Sequence, residues 1–149
     1  MISIYIAGPL FTEGERYFLE EMEKICSEKG FKTHLPHRDV NQKLDTKSVF
    51  ENDMRLLDET DIIIAVLDGP DVDSGTAFEL GYGYAHNKYL IGIRTDYRAM
   101  AFLNREKPLS AQINLMVRYS LNEYCKSIRE LEVTLDDYVK KTHQFIANV

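Results

Sequence analysis

Residues 2–7 form an apolar run rich in β-branched and aromatic side chains, and Gly8-Pro9 stops it. An unbroken run of this kind predicts a short strand buried on both faces, as in a parallel sheet. Thr12 and Glu15 have the T-x-x-E spacing of a helix capping box. Phe18, Leu19, Met22, Ile25 and Cys26 then recur at helical spacing until Gly30. Residues 31–35 predict a second strand, ended by Pro36, and residues 37–47 are polar and irregular. A second helix is expected over 48–59 with Val49, Phe50, Met54 and Leu57 turned inward. Residues 62–67 are an unbroken aliphatic strand, a loop covers 68–74, and a third helix runs from near Gly75 to near Asn87. Residues 89–93 give a fourth strand, 95–112 give no readable period, and a short run at 123–125 allows a fifth strand. Ser127 and Glu130 then open a last helix that carries Ile128, Leu131, Leu135, Tyr138, Val139 and Ile146 on one face.

Strands alternating with helices predict a parallel sheet covered on both sides. The expected fold class is α/β: a flavodoxin-like, doubly wound five-stranded parallel sheet in three αβα layers, with residues 1–149 as one domain. Ligands of such sheets bind outside the carboxyl ends of the strands, at the switch point. The polar and Gly-rich residues follow strands one and three there, at Gly8-Pro9 and at residues 68–75.

Composition narrows the partners. A chain with 44% hydrophobic and 28% charged residues has the makings of a folded core. A net charge of −6 without a basic run argues against a nucleic-acid polymer as partner, because such binding rests on neutralising phosphates. A small neutral ligand remains open. Cys26 and Cys125 form no CxxC pair and read as buried thiols of a reducing compartment. Residues 1–7 lack the pattern of a signal peptide, and no apolar run reaches the ~20 residues that span a bilayer. The expectation is a cytosolic protein without a membrane partner.

Two carboxylates break the local pattern. Asp53 neighbours Val49, Phe50 and Leu57 on the helix, on or beside its buried face. It is either a boundary residue bonded to a loop or a carboxylate with a task. Glu79 is expected in the first turn of a helix aimed at the switch point, a position that serves as ordinary capping or as an anion site. Asp71, Asp73, Gly75, Gly81 and Gly83 surround it, and the two later glycines suggest close packing of this helix on a neighbour. Carboxylates converging at the mouth of a sheet suit glycosyl chemistry, in which one attacks an anomeric carbon and another handles the leaving-group proton. No P-loop follows strand one or three, Gly81-x-Gly83 lacks a third glycine, and the Asp71-Asp73-Gly75 spacing fails as a calcium loop. The four histidines have no metal-ligand spacing, and neither metal nor cofactor is expected; only His37, just after strand two, is a candidate for a role.

Four segments in register resemble the nucleoside 2-deoxyribosyltransferases: IYIAGPLF at 4–11, END at 51–53, DSGTAFELGY at 73–82 and INLM at 113–116. The resemblance implies transfer of 2-deoxyribose between nucleobases. Glu79 matches the family's nucleophile, Tyr5 the tyrosine that orients it, and Asp53 the acid that protonates the departing base. Asp73 matches the carboxylate that takes the sugar 5′-hydroxyl. Asn114 matches an asparagine that reaches into a neighbouring subunit's site, so a homo-oligomer built from dimers is expected. Gly8 matches a glycine that lets the chain pass close to the ligand. Leu10 stands where a Trp can occur, and the tail beyond Met116 matches less clearly.

Two other readings compete. A sister group hydrolyses 2′-deoxynucleoside 5′-monophosphates and tends to place a small hydroxyl residue at the position of Asp73, where a carboxylate would repel the phosphate. A non-catalytic nucleotide-binding module would explain the fold, but not Tyr5, Asp53, Asp73 and Glu79 together.

Overall fold

The computed structural model describes residues 1–39, 45–96 and 113–147. Its elements run β1 (Ser3–Ala7), α1 (Glu13–Glu28), β2 (Lys32–His34), α2 (Pro36–Asp39), α3 (Thr46–Glu59), β3 (Ile62–Val66), α4 (Ser74–Ala85), β4 (Tyr89–Ile93), α5 (Leu115–Ser120), β5 (Glu123–Cys125) and α6 (Ile128–Ala147). The strands form one sheet in the order β2-β1-β3-β4-β5, and every pairing is parallel. This is the flavodoxin-like doubly wound arrangement, with its switch point between β1 and β3.

The strands alternate strictly between two cores. Ile4, Ile6, Ile62, Ile64, Ile91 and Ile93 pack on one face, against Leu19, Met22 and Cys26 of α1 and Leu131 and Leu135 of α6. Tyr5, Ala7, Ile63, Ala65 and Leu90 face the other side, against Leu56 and Leu57 of α3, Leu80 of α4 and Val117 of α5. The full burial of β1 and the continuous aliphatic run of β3 follow from this double coverage.

Local signals explain most boundaries. Thr12 caps α1 with a complete capping box, in which its side chain accepts from Glu15 N–H and the Glu15 carboxylate accepts from Thr12 N–H at 2.7 Å. At α6 the device is shifted. Ser127 Oγ accepts from Glu130 N–H, while the Glu130 carboxylate takes the N–H of Lys126 rather than that of Ser127. Gly83 has a packing reason: a Cβ there would stand 2.5 Å from Ile63 Cδ1 and 2.9 Å from Leu90 Cδ2. Gly81 has no such neighbour within 4 Å.

Several expectations change. Helix α3 starts two residues before Ser48 because Asp45 caps it, accepting from the N–H groups of Lys47 and Ser48. Its buried residues are Leu56 and Leu57, and Phe50 is half-exposed against Phe78 of α4. A helical turn, Pro36–Asp39, runs into the start of the stretch 37–47 expected to be irregular. Helix α5 was not foreseen. Of the unreadable stretch 95–112, residues 97–112 lie outside the described residues, as does the side chain of Ile146. Both cysteines are buried and unpaired as disulfides, and burial raises the thiol of each. No helix among the described residues is long and apolar enough to cross a membrane.

Candidate active site

Tyr5 sits in the middle of β1, fully buried. The alternation of that strand turns it toward α3 and α4. Its hydroxyl donates a hydrogen bond of 2.7 Å to Glu79 Oε1. Burial first, then the charge and hydrogen bond of Glu79, then the charge of Asp53, hold the phenol far above its ordinary value, so it remains a donor.

Glu79 differs from expectation in one respect. Helix α4 begins at Ser74 with Asp73 as its N-cap, so Glu79 is in the second turn rather than the first. The field of a helix N-terminus fades within the first turn and gives this carboxylate little support. Burial raises Glu79 to about 7; the Tyr5 hydrogen bond opposes the rise, and the charges of Asp53 and Asp73 add to it. Helix α4 turns one flank to α3, where the Tyr82 hydroxyl donates to Asp58, and the other to α5, along Ala77, Gly81 and Tyr84. Glu79 lies on the α3 flank, with Gly75 and Tyr82 one turn away on either side.

Asp53 comes from α3. Its Oδ1 is buried without a hydrogen-bond partner among the described residues, and burial raises its carboxyl. An unmatched buried carboxylate oxygen favours the protonated acid. The charge of Asp53 in turn opposes ionisation of Glu79.

Asp73 ends the loop after β3. Its Oδ2 accepts from the N–H of Thr76 at 3.0 Å and from the Thr76 hydroxyl at 3.2 Å. The carboxylate thus occupies the positive end of α4. Gly8 lies at the end of β1, but close packing alone demands glycine there, because a Cβ would meet Leu19 Cδ2 at 2.7 Å and Val66 Cβ at 3.2 Å.

Asn114 stands apart from this group in its surroundings. It caps α5, accepting from Met116 N–H at 2.9 Å, and lines a groove of about 620 Å³ between α4 and α5. Tyr84, Leu115, Met116 and Tyr119 line the same groove and are each more than half exposed. His37 is half-buried beside Glu20 on the α1 side, where its ring nitrogen lies 3.2 Å from the carboxylate, away from the Tyr5–Glu79 pair. Arg94, buried at the carboxyl end of β4, is a residue the pattern reading passed over, although a charge directly after an apolar strand at the ligand edge was a usable signal.

This arrangement offers a buried carboxylate fixed by a phenol, a second carboxyl disposed to hold a proton, and a third carboxylate at the rim. Such a group of carboxyls suits glycosyl chemistry, in which one carboxylate attacks an anomeric carbon and another handles a proton.

Known proteins resemble this chain in sequence and fold. The family model for nucleoside 2-deoxyribosyltransferases matches residues 4–140, which extends the resemblance well past Met116 into α6. The 2-deoxyribosyltransferase of Bacillus psychrosaccharolyticus has a similar structure, with a TM-score of 0.71, 26% identity and coverage of 87% of this chain and 90% of that one. A protein of Thermofilum pendens provisionally named 2′-deoxynucleoside 5′-phosphate N-hydrolase 1 is 29% identical over 120 residues, 75% of this chain and 76% of that protein. An uncharacterised protein of Ureaplasma parvum is 33% identical over 103 residues, 60% of this chain and 63% of that protein. The match to the Ureaplasma protein thus spans under two thirds of its length. The chain belongs to the nucleoside 2-deoxyribosyltransferase family.

Proposed function

We propose that this protein transfers 2-deoxyribose between nucleobases by double displacement through an ester on Glu79. The observation that carries the reading is the 2.7 Å bond from the Tyr5 hydroxyl to Glu79 Oε1, with Asp53 close by and its Oδ1 buried without a hydrogen-bond partner among the described residues. In the first step Glu79 attacks C1′, the glycosidic C–N bond breaks, and the base leaves with the proton held by Asp53. In the second, a nitrogen of an incoming base attacks C1′, the ester bond breaks, and Asp53 recovers a proton from that base. Each step inverts C1′, so the configuration is retained. Tyr5 keeps one oxygen of Glu79 fixed, so the nucleophile is oriented before substrate arrives.

Asp73 receives the sugar 5′-hydroxyl in this reading. Hydrolysis of a 2′-deoxynucleoside 5′-monophosphate is the second reading, favoured by the name of the Thermofilum relative. Asp73 speaks against it, because its own carboxylate already occupies the α4 N-terminus, where a phosphate would be held. The α4–α5 groove is the surface for a second copy of the chain, which would bring Asn114 to the neighbouring site. Its exposed aromatic and aliphatic rim suits that role.

Incubation with deoxyinosine in the presence and absence of adenine tests the reaction. The expected product is deoxyadenosine, formed only with adenine. Free deoxyribose at the same rate in both mixtures, without deoxyadenosine, would overturn transfer in favour of hydrolysis.

A further inference from the structure

We propose that Arg94 is a positioning residue for the sugar end of the substrate, acting through the loop that presents Asp73. The proposal rests on the reading of Asp73 given above. Arg94 directly follows β4 and is 4% exposed. Its main-chain N–H continues the sheet by donating to Cys125 O at 2.9 Å. Strand alternation turns its side chain to the same face as Gly92, whose Cβ position abuts Leu67 and Leu121, and so toward the α4 side.

Two of the guanidinium nitrogens bind main-chain oxygens, while Nε is buried with no hydrogen-bond partner among the described residues. Nη1 donates to Leu67 O and Nη2 to Gly69 O, the latter at 2.7 Å. Two carbonyls two residues apart on a turning chain match a planar fork; an ammonium group has no such geometry. The same turn is tied from both sides. Asp68 Oδ1 accepts from the N–H groups of Thr95 at 2.6 Å and Asp96 at 2.8 Å, and Asp68 Oδ2 accepts from the Thr95 hydroxyl at 2.6 Å. In return Gly69 N–H donates to Asp96 Oδ2 at 3.1 Å. Gly69 has φ +115, a conformation that strains other residues, so the turn is built into the sequence.

From this turn only residues 70–72 separate the fixed chain from Asp73, the N-cap of α4. The end of β4 thereby sets where the Asp73 carboxylate stands at the switch point. Nothing in the family resemblance assigned a part to Arg94 or Asp68. A buried cation held by carbonyls is costly unless its geometry matters, and here that geometry fixes the loop that completes the site.

The test compares a 2′-deoxynucleoside with its 2′,5′-dideoxy counterpart, which lacks the group Asp73 would receive. In the parent, the 5′-hydroxyl should lower KM. Arg94→Lys keeps the charge but loses the fork. It should raise KM for the 2′-deoxynucleoside roughly tenfold, as for one lost hydrogen bond to a charged group. It should leave both constants of the dideoxy substrate near parental values. Combined with Asp73→Asn it should add no further loss. Asp68→Asn, which loosens the same turn from its other side, should show the same selective loss and serves if Arg94→Lys does not fold. An equal loss on both substrates, or full additivity with Asp73→Asn, overturns the proposal and leaves Arg94 a general structural role. A parent enzyme indifferent to the 5′-hydroxyl overturns the reading of Asp73 itself and the proposal with it. That outcome shows in the parent alone, so the two failures are distinct.

Discussion

The hydroxyl of Tyr5 and the carboxylate of Glu79 meet at 2.7 Å, though 74 residues separate them in the chain. One comes from the central part of β1 and the other from the second turn of α4, across the switch point of the sheet. The bond lowers a carboxyl that burial otherwise raises. Removing it has a directional effect on titration. In Tyr5→Phe the Glu79 carboxyl should rise further above about 7, so the acid limb of the kcat/KM profile should move to higher pH. At neutral pH the loss should be about 1.5–3 kcal/mol in transition-state stabilisation, or roughly 10- to 150-fold. An unmoved acid limb would detach Tyr5 from the nucleophile.

Stability carries a signature of the same carboxylate. Glu79 stands at about 7 in the folded protein, against 4.5 for the unperturbed group. A raised folded value means that the protonated carboxyl contributes stability, in full below 4.5, and that the contribution is lost as pH rises through about 7. Above that range the parent holds a buried carboxylate at a cost on the order of 3 kcal/mol or less. Glu79→Gln should therefore be more stable than the parent at pH 8 and close to it at pH 4.5. Urea unfolding at both values decides this, and a Gln variant less stable at pH 8 contradicts the desolvated site.

Substrate class turns on Asp73. Serine also caps helices, so Asp73→Ser should keep α4 while removing the charge. Use of deoxyadenosine should weaken by about 1.5–3 kcal/mol in kcat/KM, and tolerance of deoxyadenosine monophosphate should improve. A parent that already prefers the monophosphate would favour the hydrolase reading.

Assembly can be probed at Met116, 83% exposed on the rim of the α4–α5 groove. A second copy seated there should be repelled by Met116→Glu. Light scattering should show the parent as a dimer or a multiple of dimers, and the variant as smaller and much less active. A parent that is monomeric and fully active would remove Asn114 from the shared site.

Much of the framework was legible because burial on both faces leaves a plain trace. The apolar runs of β1 and β3 read as buried strands because Gly8-Pro9 and the loop at 68–73 bound them. The misplaced turn of Glu79 has a local cause. Asp73 is the cap, with Thr76 as its partner, and a helix begun at Gly75 overlooks that D-x-x-T pairing. Phe50 lies on a flank that helical period cannot separate from the buried stripe, so its half-exposure was unreadable. Helix α5 has six residues, too few for a period to show. The Tyr5–Glu79 bond left no trace in local pattern; only the order of the four family segments pointed to it. For Arg94 only its place directly after β4 was legible; its partners are main-chain carbonyls, which leave no trace in the side-chain pattern.

The central claim is a covalent bond between C1′ and Glu79. A 2′-deoxynucleoside analogue bearing fluorine at C2′ destabilises the cation-like transition state and should slow release of the ester. Incubation followed by digestion and mass spectrometry should place the fluorodeoxyribosyl mass on the peptide containing Glu79, and Glu79→Ala should acquire no label. Label on another residue, or undiminished transfer by Glu79→Ala, would contradict the account.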